Sequence, residues 1–269
     1  MKLTTACWSY PALTLPEVAG LARVLGLDAI DVGVDGRSAL DRGRLLSDPE
    51  GLATEVASTG MPVACCYYRF GEGLVERNLA DPVYRPANLR DFGQVLRFCR
   101  AARVPTIFLL PGIVNPGQTG ATALAESAAS LRPLLEAAAA AGVTLTIEAH
   151  VQSLVESPRL TLDLLREVPG LRLALDYSHF ICLGFRQEEI DVLLPHAGHV
   201  HLRQARPGLL QTKFDQGTIN FPVLLGELRA SGYRGYLCLE NSHQAYMDTW
   251  YDDVLTETVR MRDLVRAYL

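Results

Sequence analysis

The chain has 269 residues, of which 49% are hydrophobic and 20% are charged, and its formal net charge is −5. This balance is typical of an ordinary globular protein. A net negative charge gives no general attraction for nucleic acid or for an anionic membrane surface, so neither is expected as a partner. The length fits either two modest domains or one large α/β barrel.

The cysteines and the first residues bear on the cellular compartment. Six cysteines are scattered along the chain, with no CxxC spacing. Most lie in apolar runs, so we expect buried thiols in a reducing compartment. The N-terminal stretch MKLTTACWSYPALTLPE lacks a long apolar segment, and no run of 18 uncharged apolar residues occurs. These features predict a cytoplasmic protein without a membrane span.

Short apolar runs alternate with amphipathic segments along the whole chain. The runs predict strands over 3–10, 27–34, 61–68, 104–112, 143–150, 199–205 and 233–241, and a sixth strand that begins the run 171–180 and ends on Asp176. The intervening patterns predict helices over 15–26, 48–59, 86–102, 121–142, 158–167, 187–198, 219–232 and 252–269. Eight such pairs indicate a closed parallel (β/α)₈ barrel, as a single domain over 1–269. An open doubly wound sheet is the alternative, but the sequence has neither GxGxxG after the first strand nor GxxxxGK[ST].

Ionisable residues end four consecutive predicted strands, the fifth to the eighth. They are Glu148, Asp176, His201 and Glu240. In a barrel the carboxyl ends of all strands open on one mouth, so these side chains should converge. Each alone could be a solvated carboxylate or a hydrogen-bonded core histidine, but their joint occurrence predicts a site for one divalent metal ion. The oxygen-rich set favours Mn²⁺, Mg²⁺ or Co²⁺, and Zn²⁺ is also compatible.

An ion at this position would polarise a substrate carbonyl and acidify the adjacent C–H group. Glu148 and Glu240 are the carboxylates available as general base, and they come from different strands. His179 follows Asp176 by three residues and is placed to donate to a substrate oxygen. His199 precedes His201 by two residues, faces the same side, and is expected to pack one layer deeper.

The order E…DxxH…HxH…E, here IEAH, LDYSHF, HVHLRQA and LCLENSH, resembles the xylose-isomerase-like barrel superfamily. Within it, the chain is similar to the sugar phosphate isomerase/epimerase group that includes D-tagatose 3-epimerase, hydroxypyruvate isomerase and inosose dehydratase. The resemblance implies that Glu148, Asp176, His201 and Glu240 bind one divalent ion. It also implies that the two glutamates act as acid and base, and that His179 contacts substrate.

The loop after the seventh strand departs from the pattern of that group. Members often carry an Asp two or three residues beyond the seventh-strand histidine, where this chain has Arg203 and Gln204. An arginine of this loop binds substrate in the epimerases, and Arg206 or Arg203 could do so here. In the first loop, Trp8 could stack on a sugar or pack in the core.

The leading hypothesis is therefore a metal-dependent isomerase or epimerase of a small sugar or keto-sugar, working through an enediolate in carbohydrate metabolism. A dehydratase of the inosose-dehydratase kind shares the first half-reaction and stays open. A non-catalytic sugar-binding barrel is less favoured. A nuclease like endonuclease IV is disfavoured, because the extra histidines of its three-metal cluster are missing. The absence of a Gly-rich phosphate turn favours an unphosphorylated substrate, and the sequence is compatible with a homo-oligomer.

Overall fold

The structure, a computed structural model, describes residues 1–243, 245–250 and 253–269. Within these residues, eight parallel strands close into one barrel in chain order. This confirms the predicted (β/α)₈ fold class. The strands are β1 Lys2–Ala6, β2 Ala29–Val32, β3 Val63–Tyr67, β4 Thr106–Leu109, β5 Thr144–Ile147, β6 Arg172–Asp176, β7 Ala197–Leu202 and β8 Tyr236–Leu239.

Helices follow the strands and form the outer layer. They are α1 Leu15–Val24, α2 Arg42–Ser47, α3 Pro49–Ser58, α4 Arg85–Ala101, α5 Gly120–Ala140, α6 Pro158–Glu167, α7 Tyr177–Cys182, α8 Gln187–Ile190, α9 Phe221–Ala230 and α10 Val254–Tyr268. Several begin where the sequence supplies a capping side chain and an early proline. At α6, for example, Ser157 accepts a hydrogen bond from the Leu160 N–H at 3.2 Å, and Pro158 is the first helical residue. None of the described helices has the length and apolarity needed to cross a membrane.

The main hydrophobic core lies between the strands and the surrounding helices. Ile107 of β4 pairs in register with Leu145 of β5, and both belong to one continuous buried cluster with Phe92 and Phe98 of α4. Burying each such side chain contributes roughly 1.5–3 kcal/mol, which fixes the barrel that carries the strand ends. The residues that face the barrel axis include polar ones, among them the fully buried Asp31.

The structure corrects the predicted boundaries in the second half of the chain. The sixth strand ends at Asp176, as predicted, but the residues after it, which were expected to form a turn, form the helix α7 from Tyr177. The reason is local, because the Asp176 side chain accepts the Ser178 N–H at 2.8 Å and so caps the helix.

The helix predicted over 187–198 does not extend over that whole range. It comprises α8 and a 3₁₀ segment over Asp191–His196, and β7 then begins at Ala197. Helix α2 was not predicted. The helix predicted over 252–269 begins at Val254, and its residue 252 lies outside the described residues.

Candidate active site

A cavity of about 260 Å³ opens at the carboxyl ends of the strands. Its wall includes side chains at or within two residues of the carboxyl ends of β1, β3, β4, β5, β7 and β8, as expected for the mouth of a barrel. An aromatic side of this wall is formed by Trp8, Tyr67 and Phe108. The rings of Tyr67 and Phe108 stack at 4.5 Å between centroids, and Trp8 lies 5.6 Å from Tyr67. This side offers an apolar surface for the C–H face of a small ligand.

The four predicted metal ligands converge at this mouth, where Glu148 and Glu240 line the cavity. Glu148, Asp176, His201 and Glu240 each contribute a donor atom, and all four atoms lie within 4.8 Å of one another. Every one of these side chains is buried. His201 Nδ1 lies 2.8 Å from Glu148 Oε1 and 3.3 Å from Glu240 Oε2. The strand ends therefore bring together groups that the chain separates by up to 92 residues, from 148 to 240.

The charges of this cluster perturb one another. Burial would raise the pKa of Glu240, but the positive charges of His201 and Arg203 outweigh it and hold that pKa well below its usual value. Burial likewise disfavours a charge on His201, whereas Glu240 and Glu148 raise the pKa of its imidazole well above 6.5. Burial raises the pKa of Asp176, with Arg203 opposing the shift. Glu240 is thus held as a carboxylate.

Trp8 orients Glu240. The indole Nε1–H of Trp8 donates to Glu240 Oε1 at 2.7 Å, across 232 residues of sequence. The other carboxylate oxygen, Oε2, is buried and has no hydrogen-bond partner among the described residues, although His201 Nδ1 lies 3.3 Å from it and Arg203 Nη2 3.8 Å from it. Buried polar atoms nearly always form hydrogen bonds in folded proteins, so this oxygen, beside two other carboxylates, is a candidate ligand atom for a cation. The sequence named Trp8 as a ring that could stack on a sugar, and the structure gives it this second contact.

His179 lies beside the cluster, on α7. Burial lowers the pKa of its imidazole well below 6.5, and His150 and Arg203 act in the same direction, so the ring is neutral. The Val151 N–H faces Nδ1 at 3.1 Å, while Arg203 Nη2 faces Nε2 at 2.9 Å. A neutral imidazole accepts through one nitrogen only, so it can serve only one of these donors. From the sequence, His179 was predicted to donate to a substrate oxygen. Donation through Nε2 requires the proton on that nitrogen, so that Nδ1 accepts the Val151 N–H.

The two candidate arginines of the seventh loop occupy different environments. Arg203 is 4% exposed, lines the cavity and lies 2.7 Å from Asp176 Oδ2. Arg206 is exposed in a turn whose backbone bonds to Leu209, and it is not among the cavity-lining residues that the structure describes. Of the two, Arg203 is the one that the fold brings to the site. The sequence could have indicated this choice, because Arg203 follows His201 by two residues, and residues two apart in a strand face the same side.

Tyr246 also borders the cavity and was not identified from the sequence. Its ring lies 5.2 Å from that of His150, and its hydroxyl lies 3.4 Å from the Val151 carbonyl oxygen. This loop residue follows β8 without any motif that would mark it. It joins the loops after β5 and β8 across the mouth.

A second polar layer lies directly beneath the cluster. His199 Nε2 lies 2.6 Å from Asp31 Oδ2, and the Thr4 hydroxyl donates to Asp31 Oδ1 at 3.0 Å. The rings of His199 and His201 meet edge to face at 5.3 Å. His199 is thus packed below the site, as the sequence indicated, and its partner Asp31 comes from β2.

Comparison with known proteins gives relatives of this architecture. A human protein that carries the name of a hydroxypyruvate isomerase is 27% identical over 249 residues, covering 87% of this chain and 86% of its own. The D-psicose 3-epimerase of Clostridium cellulolyticum H10, solved with D-tagatose, has a TM-score of 0.77 at 16% identity, covering 100% of this chain and 99% of its own. The IolI protein, solved with a bound zinc atom, has a TM-score of 0.76 at 18% identity with the same coverage.

The two structural similarities, at these low identities, establish the fold alone. Residues 19–258 match the family described as "Xylose isomerase-like TIM barrel", which is most of the chain. The matched segment includes Glu148, Asp176, His201 and Glu240, the four candidate metal ligands. The protein therefore belongs to the xylose isomerase-like TIM barrel family.

Proposed function

We propose that the protein is a divalent-metal-dependent isomerase or epimerase of a small sugar or keto-sugar. One observation carries the proposal: Glu148, Asp176, His201 and Glu240 present donor atoms within 4.8 Å of one another at a barrel mouth. The family and the relatives named above support this class of reaction, since they include proteins named for isomerase and epimerase activity. The name of the human relative extends the candidate substrates to short hydroxy-keto acids.

The donor set fits a divalent cation. Three buried carboxylates and one imidazole form an oxygen-rich site of the kind that Mn²⁺, Mg²⁺ or Co²⁺ accepts, and Zn²⁺ is a further candidate because IolI binds it. Glu240 Oε2, which is buried and accepts no hydrogen bond from the described residues, is free to coordinate such an ion. When bound, such an ion supplies electrophilic polarisation of a carbonyl group.

The chain itself supplies the proton transfer. Glu148 and Glu240 both line the cavity, at the ends of strands that lie three positions apart around the barrel. One carboxylate removes the proton from the carbon next to the carbonyl. In isomerisation, the resulting carboxylic acid returns a proton to the former carbonyl carbon, while the proton of the adjacent hydroxyl passes to the former carbonyl oxygen. In epimerisation, the second glutamate, in its protonated form, delivers a proton to the opposite face of the same carbon. Two carboxylates that come from different strands suit epimerisation.

The surrounding residues would hold the substrate and keep water away. Trp8, Tyr67 and Phe108 form the apolar side, and Trp8 also fixes the Glu240 carboxylate. Arg203 and His179 place N–H groups beside the carboxylates, where a substrate oxygen would lie. These donors would stabilise the negative charge that develops on oxygen during enolisation.

Deuterium incorporation tests the proposal. The protein is loaded with Mn²⁺ in heavy water and incubated with pentuloses, hexuloses and short hydroxy-keto acids. We expect a product of unchanged formula that carries solvent deuterium on carbon. Glu148→Gln and Glu240→Gln should each abolish the exchange and reduce bound metal, whereas Glu136→Gln, on the exposed face of α5, should match the wild type.

Three outcomes would contradict the proposal in different ways. Loss of water from the substrate would indicate the dehydratase alternative. Metal and sugar binding without exchange would indicate a non-catalytic binding barrel. A folded wild-type chain that binds no divalent ion would remove the basis of the proposal altogether.

A further inference from the structure

Arg203 places a permanent positive charge inside the proposed metal site. Its guanidinium is buried and lies 2.7 Å from Asp176 Oδ2 and 3.8 Å from Glu240 Oε2. Its Nε donates to Ser178 Oγ at 2.8 Å, which fixes the plane of the group. A divalent cation that used the Asp176 and Glu240 carboxylates would therefore lie close to a second cation that cannot lose its proton.

The acidic side chains do not depend on Arg203 for their orientation. Asp176 Oδ1 accepts the Ser178 N–H at 2.8 Å, and Glu240 Oε1 accepts the Trp8 indole N–H at 2.7 Å. Glu148 Oε1 is held by His201 Nδ1 at 2.8 Å. Each carboxylate thus keeps one anchoring contact if the guanidinium is removed. The main contribution of Arg203 is consequently its charge rather than the geometry of the site.

We propose that Arg203 weakens divalent-cation binding at this site and makes the loaded site electrically neutral. This inference rests on the proposed metal site. Three carboxylates, one divalent ion and one guanidinium sum to zero, whereas the same site without the arginine retains one negative charge. In a buried cluster, charges at such distances interact strongly and are little screened by salt. Arg203 therefore keeps the bound ion exchangeable and spares a substrate oxygen the repulsion of a net negative site.

Metal affinity measured without turnover tests the inference. Mn²⁺ binding is followed by calorimetry and by electron paramagnetic resonance in wild type, Arg203→Gln, Arg203→Lys and Arg186→Gln. Arg186 is an exposed control that loses the same charge outside the site. We expect Arg203→Gln to bind Mn²⁺ about tenfold more tightly or better, because a nearby like charge is removed. Arg203→Lys, which retains the charge, should stay within about threefold of wild type, and Arg186→Gln within about twofold.

The stability of the variants supplies a second measurement. Removing Arg203 leaves Asp176 without its cationic partner and lowers the stability of the metal-free chain. Added Mn²⁺ should then raise the unfolding midpoint of Arg203→Gln more than that of wild type, since ligand-induced stabilisation follows affinity. This comparison gives a result even if the metal-free variant is partly unfolded.

The inference is wrong if wild type binds Mn²⁺ and Arg203→Gln binds it equally or more weakly, with no larger gain in unfolding midpoint. It is also wrong if Arg203→Lys tightens binding as much as Arg203→Gln, because the charge would then not be the cause. Failure of all variants to bind Mn²⁺ would overturn the proposed function together with this inference. The two failures are thus distinguished by the wild-type measurement.

Discussion

The hydrogen bond from Trp8 to Glu240 leads to a defined expectation for metal binding. Trp8→Phe keeps an aromatic ring against Tyr67 and Phe108 but removes the indole N–H that fixes Glu240 Oε1 at 2.7 Å. A hydrogen bond to a charged group contributes about 1.5–3 kcal/mol. Loss of a group that orients a metal ligand usually lowers affinity about 10–100-fold, or roughly 1.4–2.7 kcal/mol. The two magnitudes agree, so we expect the dissociation constant for Mn²⁺ to rise by that factor.

Calorimetric titration of the metal-free protein with Mn²⁺ measures this change. The chain has a second tryptophan, Trp250, which is 56% exposed, and Trp250→Phe is therefore the matched control. The control should bind Mn²⁺ as the wild type does. Unchanged affinity in Trp8→Phe, with the fold intact by circular dichroism, would refute the conclusion that the indole holds Glu240 in its ligand orientation.

Two further predictions concern stability. Asp31→Asn should lower the free energy of unfolding by about 1–3 kcal/mol, because the buried hydrogen bonds that Asp31 accepts from Thr4 and His199 are weakened. Asp35→Asn, which weakens a partly exposed ion pair with Arg69, should lower it by less than about 1 kcal/mol. Urea unfolding compares them, and equal losses would contradict the prediction. Burial, aided by the negative charge of Asp31, raises the pKa of the Cys7 thiol above 9.0. In the folded protein the thiol therefore stays protonated at a pH at which it ionises in the unfolded chain. The stabilisation that this gives is complete below pH 9. Above it, the free energy of unfolding falls by roughly 1.4 kcal/mol per pH unit as the pH rises toward the folded-state pKa. Unfolding free energies measured between pH 8 and about 10.5 should fall less steeply with pH in Cys7→Ala than in wild type. Equal pH dependence in the two proteins would contradict this prediction.

The fold was accessible from the sequence because its signal is repeated and local. Alternating apolar runs predicted all eight strands, and the ionisable residue at the end of each later strand predicted the cluster. Helix α7 was missed because a single capping side chain, Asp176, decides whether residues 177–182 form a turn or a helix. The same carboxylate was assigned only to metal binding. A residue that both caps a helix and faces a site has two functions, and its spacing in the sequence indicates only one.

Contacts across the barrel were beyond the reach of sequence patterns. Nothing near Trp8 marks Glu240 as its partner, since the closed sheet alone brings β1 beside β8. The choice between Arg203 and Arg206 likewise depended on where β7 ends. Strand β7 ends at Leu202, so Arg203 is the first residue beyond it and lines the cavity at the barrel mouth. Arg206 lies farther along the chain, in the turn that pairs with Leu209.

The order of the polar layers explains how a cluster of three carboxylates is kept in place. The lower layer, Asp31 and His199, is joined by hydrogen bonds and packs edge to face against His201, which in turn contacts Glu148. Each proposed ligand therefore takes its orientation from a neighbour that is itself held in place, as in established metal sites. Orientation and charge are consequently supplied by different residues: indole, imidazole and backbone N–H groups orient the carboxylates, and Arg203 adjusts their net charge. This separation is the reason why replacing Trp8 and replacing Arg203 should move metal affinity in opposite directions, although both side chains contact the same Glu240.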